Sequence, residues 1–326
     1  MTVAYFVLFV VAVLGVTKAA DWFLEAAEVV GSWLRLPDFV MGVILVGLGT
    51  SLPELATGLA AVANGENEVV LGNVIGSNIA NVLIILGVST VLMGTIRFEK
   101  VLVDIDLPLL SAVTIGFGLL VIDGVLSRVD AALLLAGFVL YLLYTVFYRD
   151  NDQYESGLAR LMRTIILDRP RGEPVPAQAA RPRVRTWLLL VGSLVGLAVL
   201  SQVAVTSLLA VVSEIGIAVG VVSYFALALG TSLPELTVSL GALRRGQGDV
   251  VVGNIIGSSM FNVLLVAGLA RVVAPQTLAL PAGYWMVAGL GVSLLLLIVS
   301  GITTRIHLWE GAGFVLVYVA LALQIL

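Results

Sequence analysis

Apolar residues in this chain come in long runs separated by short polar links. The runs occupy 2–20, 39–63, 68–93, 104–123, 127–148, 186–207, 217–243, 250–271, 282–302 and 309–326. About 20 apolar residues carry a helix across the hydrocarbon core of a bilayer, so the pattern predicts ten spans. Between 21 and 38 the apolar pattern is interrupted by Glu25, Glu28 and Arg35, and this stretch either prolongs the first helix or lies at the interface. The first run lacks the basic leader of a signal peptide and reads as a span. Trp22, Trp33, Trp187, Trp285 and Trp309 fall near predicted ends, as interface anchors do.

Composition agrees. The 326 residues are 60% hydrophobic and 12% charged, with mean hydropathy +1.11, against roughly 45–50% and about 25% in soluble domains. An ordinary cytosolic enzyme is excluded, and no sizeable soluble domain fits between the spans. The absence of cysteine removes disulfides, thiolate metal sites and cysteine nucleophiles.

The placement of charge says more than its sum. The one long polar segment, 149–185, carries eight of the 17 basic residues, and the positive-inside rule puts it in the cytoplasm. Ten spans then place Arg35, Arg97, Lys100, Arg244, Arg245 and Arg305 on the same side, with only Arg128 and Arg271 clearly outside and Lys18 undecided. Both termini fall outside, with five spans on either side of the loop. Within the loop, Leu158, Leu161, Met162, Ile165 and Ile166 fall at helical spacing around Arg160 and Arg163; the patch is either an interfacial amphipathic helix or part of a topology determinant.

The chain also contains a repeat. Gly49 to Gly87 reads GTSLPELATGLAAVANGENEVVLGNVIGSNIANVLIILG, and Gly230 to Gly268 reads GTSLPELTVSLGALRRGQGDVVVGNIIGSSMFNVLLVAG, aligned without a gap at a constant offset of 181. Five spans per half make the second copy enter the membrane from the opposite side. The links inside the copies agree: Glu66 and Glu68 in the first, Arg244 and Arg245 in the second. Inverted repeats with interrupted helices point to a secondary transporter with its site near the midplane.

Glu54 and Glu235 are the only acids well inside confident apolar spans. A carboxylate there costs about 2.5 to 3.5 kcal/mol on insertion scales, and no lysine or arginine lies mid-span to pair with it. Pro53 and Pro234, with Gly49 and Gly230, predict a helix break near Thr50 and Thr231 that frees carbonyl oxygens. Carbonyl, hydroxyl and carboxylate oxygens together suit hard cations such as calcium, sodium and magnesium. In each copy a second helix carries a polar stripe at four-residue spacing, Asn73, Ser77 and Asn81, then Asn254, Ser258 and Asn262. Gly72 with Gly76, and Gly253 with Gly257, form small-residue pairs that allow close helix contact.

These paired G-T-S-L-P-E and G-N-[VI]-I-G-S-[NS]-x-x-N motifs resemble the two alpha repeats of the calcium/cation antiporter superfamily, in its prokaryotic sodium/calcium exchanger branch. The resemblance implies an all-α polytopic membrane protein of ten transmembrane helices, built as two inverted five-helix repeats with interrupted helices at the ion site. The first repeat would be 1–148 with its motif at 39–93, the Arg-rich cytoplasmic loop 149–185, and the second repeat 186–326 with its motif at 217–271. It also implies calcium ligation by Glu54, Glu235, Thr50 and Thr231. Sodium would share these carboxylates and add oxygens at Ser51, Ser77, Ser232 and Ser258 and the carbonyls of Gly47 and Ala228. Asn81 and Asn262 would be central polar positions and Asn73 and Asn254 part of the site wall. Some members carry aspartate at one of the two central places, whereas this chain has asparagine at both, which leaves two central carboxylates.

The implied function is electrogenic exchange of sodium for calcium by alternating access in the cell membrane, plasma or inner, with the first and sixth spans moving. The transported ions are calcium and sodium; no cofactor, ATP or nucleic acid enters, no Walker motif is present, and no enzymatic activity is expected. Proton/calcium exchange and a passive cation channel are the alternatives. His307 reads as an interfacial residue or a pH sensor, and Asp104, Asp106, Asp130 and Asp249 as acids near span ends that are either solvated or line an access funnel.

Overall fold

The computed structural model describes residues 2–97, 105–147, 181–214, 230–280 and 284–325. Helix α1 (Thr2–Leu34) is much longer than its apolar run. Past residue 20 one face continues as buried Phe23, Leu24, Ala27 and Val30, while Glu28 on another accepts from Arg245 Nη1 at 2.8 Å and Gln247 Nε2 at 3.1 Å. Glu28, one of the residues that interrupt the pattern, therefore has partners, and the helix runs on to Leu34. Trp22 consequently lies within α1 and not at its end, 5.6 Å beneath the Lys18 ammonium.

The first broken helix follows as α2 (Asp38–Met41), a π-helical segment Gly42–Gly47, α3 (Leu48–Thr50) and α4 (Leu52–Ala63). Next come α5 (Asn67–Ala80), a second π segment Asn81–Leu86, and α6 (Gly87–Met93). After strand β1 (Thr95–Arg97) come α7 (Leu107–Leu120), β2 (Val125–Leu126) and α8 (Arg128–Phe147). The second half contributes α9 (Val184–Glu214), α10 (Leu233–Arg244), α11 (Gly248–Phe261), a π segment Asn262–Val266 and α12 (Ala267–Val273). It ends with β3 (Leu278–Ala279), α13 (Tyr284–Gly301), β4 (Arg305–His307) and α14 (Leu308–Ile325). Among the described residues six helical stretches are long and apolar enough to cross a membrane, and α7, α13 and α14 hold shorter apolar helices. Ala228, the first part of the predicted seventh span and the Leu158–Ile166 patch of the central loop lie outside the described residues.

The offset of 181 carries into the backbone. It superimposes the limits of α4 on α10 and of α5 on α11, and the first residue of the π segment that follows each. Even the turns match: Glu66 N donates to Ala61 O at 2.9 Å and Gly65 N to Val62 O at 3.1 Å, as Gln247 N does to Ala242 O at 3.0 Å and Gly246 N to Leu243 O at 2.9 Å. This Schellman closure needs a left-handed residue, and Gly65 (φ 78°) and Gly246 (φ 74°) supply it without a Cβ clash.

Two small antiparallel strand pairs, absent from the sequence reading, tie the halves together. β1 pairs with β4, Ile96 opposite Ile306, and β2 with β3, Leu126 opposite Leu278. These four apolar residues are buried. Arg271, counted among the charges of the outer side, is buried beside the second pair, where its Nε donates to Leu126 O at 2.7 Å and its Nη1 to Ala274 O at 3.1 Å. Asp106 is also not solvated: it is 2% exposed and accepts from the Tyr144 hydroxyl at 3.1 Å.

Burial separates centre from periphery. An 18-residue window within Gly248–Val273 is 94% buried and one within Val69–Met93 83%, against 22% for the window in α1 and 33% for that in α9. The latter two pack lengthwise on each other in the most extensive helix contact of the described residues. At the centre α11 crosses the first broken helix backbone to backbone. A Cβ on Gly42 would sit 2.6 Å from the Val250 carbonyl oxygen, and one on Gly257 2.8 Å from Val43 Cα. In lipid, which solvates apolar side chains as well as a core does, such close approach is what holds helices together.

Candidate cation site

Each broken helix opens one residue past the predicted threonine. Ser51 (φ −84°, ψ 1°) and Ser232 (φ −87°, ψ 6°) leave helical geometry, and α4 and α10 restart at Leu52 and Leu233. Pro53, in the first turn, has no amide hydrogen, so the bond from position 53 back to the Gly49 carbonyl cannot form; Pro234 does the same to Gly230. The π segment ahead of the first break widens the backbone further, as such segments do at functional sites. The restart also places a helix N-terminus at depth, whose dipole favours the negative charge of Glu54 and Glu235 in the first turn.

Both glutamates are fully buried, and the serines that reach them come from the opposite copy. Ser51 Oγ donates to Glu235 Oε1 at 3.3 Å, and Ser232 Oγ to Glu54 Oε1 at 3.5 Å. The threonines cross over in the same way, Thr50 Oγ1 donating to Asn254 Oδ1 and Thr231 Oγ1 to Asn73 Oδ1, both at 3.1 Å. Ser258 lies 3.4 Å from the Thr50 hydroxyl, and Ser77 3.3 Å from that of Thr231. The Gly47 carbonyl accepts from Ser258 Oγ at 3.2 Å. The two polar stripes therefore wall each other's broken helix, and one chamber holds both carboxylates.

The chamber is polar beyond what its own bonds satisfy. Glu54 Oε2, Glu235 Oε2, Asn81 Oδ1 and both amide atoms of Asn262 are buried without a hydrogen-bond partner. A buried unsatisfied polar atom costs about 1–3 kcal/mol, more if charged. These are four oxygens and one amide nitrogen on residues of the two motifs, and oxygens of this kind suit a hard cation and its water. Among the described residues no group of three or more His, Cys, Asp or Glu side chains gathers, so the donors here are two carboxylates among hydroxyls, amides and carbonyls.

Thirteen of the fourteen residues singled out from the sequence are described. Hydrogen bonds link Gly47, Thr50, Ser51, Asn254, Ser258 and Glu235, and likewise Glu54 with Ser232 and Thr231 with Asn73 and Ser77; the Asn262 side chain is buried without a hydrogen-bond partner, and Asn81 donates from Nδ2 to Ser259 Oγ at 3.5 Å. The sequence reading missed Ser259 and Ser239, which accepts from Asn254 Nδ2 at 3.0 Å. Ser239 sits four residues after Glu235 on the same helix, and that spacing was the available signal.

Comparison with known proteins extends the match to nearly the whole chain. The family model described as sodium/calcium exchanger protein matches residues 4–147 and 185–326. The putative antiporter CaxA of Alkalimonas amylolytica is 31% identical over 308 residues, 92% of each chain. The sodium/calcium exchanger MaX1 of Methanosarcina acetivorans is 28% identical over 98% of each. A solved structure of the sodium-calcium exchanger NCX_Mj, soaked with Na+ and Sr2+, superimposes with a TM-score of 0.79 at 26% identity over 98% of both chains. Motifs, architecture and relatives thus agree that this membrane protein is no enzyme and belongs to the sodium/calcium exchanger family of cation antiporters.

Proposed function

We propose that the chain exchanges sodium for calcium by alternating access, with both ions taken in turn by the chamber between α4 and α10. The observation that carries this is the reciprocal pairing of Ser51 with Glu235 and Ser232 with Glu54, which commits two carboxylates to one space. Two ionised carboxylates are neutralised by one calcium or by several sodium ions, so each cargo must leave before the other binds. Calcium takes Glu54, Glu235 and the carbonyls of Thr50 and Thr231. Sodium shares the carboxylates and adds Ser51, Ser77, Ser232, Ser258 and the carbonyls of Gly47 and Ala228. Asn81, Asn262, Asn73 and Asn254 complete the wall.

Ten spans in two inverted repeats, 1–148 and 186–326, surround this site, with the termini outside and the 149–185 loop cytoplasmic. Each strand pair joins the two repeats at one face. The peripheral α1–α9 pair is the group that slides past the buried centre. Three sodium ions for each calcium, the ratio the family resemblance implies, carry one net charge per cycle, driven by about 2.3 kcal/mol per 100 mV.

Calcium-45 flux in proteoliposomes, with sodium, potassium and proton gradients imposed separately, tests the coupling. Uptake that follows an outward sodium gradient and responds to voltage is expected. Uptake that follows pH and ignores sodium would establish the proton exchanger, and calcium flow with no counter-ion the channel.

A further inference from the structure

Ser239 breaks the near-symmetry of the two half-sites. The offset that aligns the copies places Gly58 where the second has Ser239. Ser239 is fully buried on α10, and its Oγ accepts from Asn254 Nδ2 at 3.0 Å. The same nitrogen donates to the Glu235 carbonyl at 3.2 Å. With both amide hydrogens committed, the Asn254 Oδ1 is fixed toward Thr50 at 3.1 Å and Ser258 at 3.3 Å.

Asn73 has no such anchor. Its Oδ1 accepts from Thr231 at 3.1 Å, but its buried Nδ2 has no hydrogen-bond partner, and Gly58 offers no side-chain acceptor. A hydroxyl can donate or accept, so Thr231 tolerates either orientation of the Asn73 amide.

We propose that Ser239 is a positioning residue that locks the Asn254 carboxamide, making the Thr50–Asn254–Ser258 side of the chamber rigid and the Thr231–Asn73–Ser77 side adaptable. The two sides consequently bind ions with unequal strength, although their motifs read alike. This rests on the reading of these residues as the wall of the ion site. Gly58 has space for the missing group: a Cβ there would lie 3.5 Å from Val266 Cγ1 and 3.9 Å from Val70 Cγ1, both ordinary contacts.

Calcium-45 binding to the purified full-length protein, with sodium as competitor, tests the assignment. Ser239→Ala should weaken calcium binding about three- to tenfold, the effect of one lost neutral hydrogen bond. The Ser239→Ala/Asn254→Ala double variant should bind no more weakly than Asn254→Ala alone, since the serine acts only through that amide. Gly58→Ser, which removes no group and supplies Asn73 with an acceptor, should tighten binding by a few fold and keeps the test available if Ser239→Ala fails to fold. Additive losses in the double variant, or unchanged binding in both Ser239→Ala and Gly58→Ser, would overturn the proposal. Wild-type protein that binds no calcium, or whose binding survives Glu54→Gln, would instead overturn the ion-site reading itself.

Discussion

Ser51 and Ser232 each stand three residues before a glutamate of their own copy and hydrogen-bond the glutamate of the other. The motif names the residues, yet its spacing cannot tell which carboxylate a serine will reach. On an unbroken helix, neighbours three apart share a face; at the breaks of Ser51 and Ser232 these hydroxyls instead point to the opposite copy. A hydrogen bond to a charged group contributes about 1.5–3 kcal/mol, and at 3.3–3.5 Å these bonds lie at the weak end. Ser51→Ala and Ser232→Ala should therefore each raise the sodium concentration for half-maximal exchange about tenfold. Equal flux curves for wild type and both variants would show that neither hydroxyl contributes. Ser239 and Ser259 escaped the sequence reading because each serves the site by holding another side chain.

At the scale of elements, the apolar pattern and the two motifs were enough to find most of the membrane helices. The helix ends were not, because ends depend on partners distant in sequence. α1 runs on to Leu34 with Phe23, Leu24, Ala27 and Val30 buried, and its Glu28 meets Arg245 and Gln247, more than 200 residues away. The strand pairs were equally hidden, being two or three residues each and joined across halves. The Gly253–Gly257 pair, by contrast, was legible, and its backbone contact with Gly42 and Val43 makes it testable. Gly257→Ala places a methyl 2.8 Å from Val43 Cα with no side chain to yield; overpacking of this kind costs about 1–3 kcal/mol. The apparent melting temperature of the detergent-purified protein should fall, while Gly192→Ala, with nothing within 4 Å, should leave it unchanged. The Glu28–Arg245 pair joins the peripheral α1 to the turn after α10, and its side chains are 36% and 30% exposed. An ion pair so exposed contributes only about 0–1 kcal/mol, weak enough to open if α1 moves as proposed. Glu28→Gln should change maximal exchange rate by no more than about fivefold and leave calcium affinity as it was; a loss of affinity would mean that the pair shapes the site.

For the whole molecule, the proposed inversion of the repeats is the boldest expectation, resting on charge in the links and on an odd number of spans per half. The absence of cysteine makes it directly measurable. Asn64 and Arg244 are exposed, at the corresponding turns of the two copies. Single cysteines introduced there, Asn64→Cys and Arg244→Cys, should react with a membrane-impermeant thiol reagent from opposite faces, the first from outside. Labelling of both from one face would rule out the inversion. In the proposed function two glutamates, one from each copy, form a single chamber that calcium and sodium occupy in turn. Calcium-45 binding to purified protein titrated with sodium, in wild type, Glu54→Gln and Glu235→Gln, tests it most directly. Removing one of two buried charges that share a cation costs about 3–5 kcal/mol, so either variant should lose calcium affinity by at least about a hundredfold. In the wild type, sodium should displace calcium competitively. Calcium binding that persists in either variant, or that sodium leaves untouched, would contradict it.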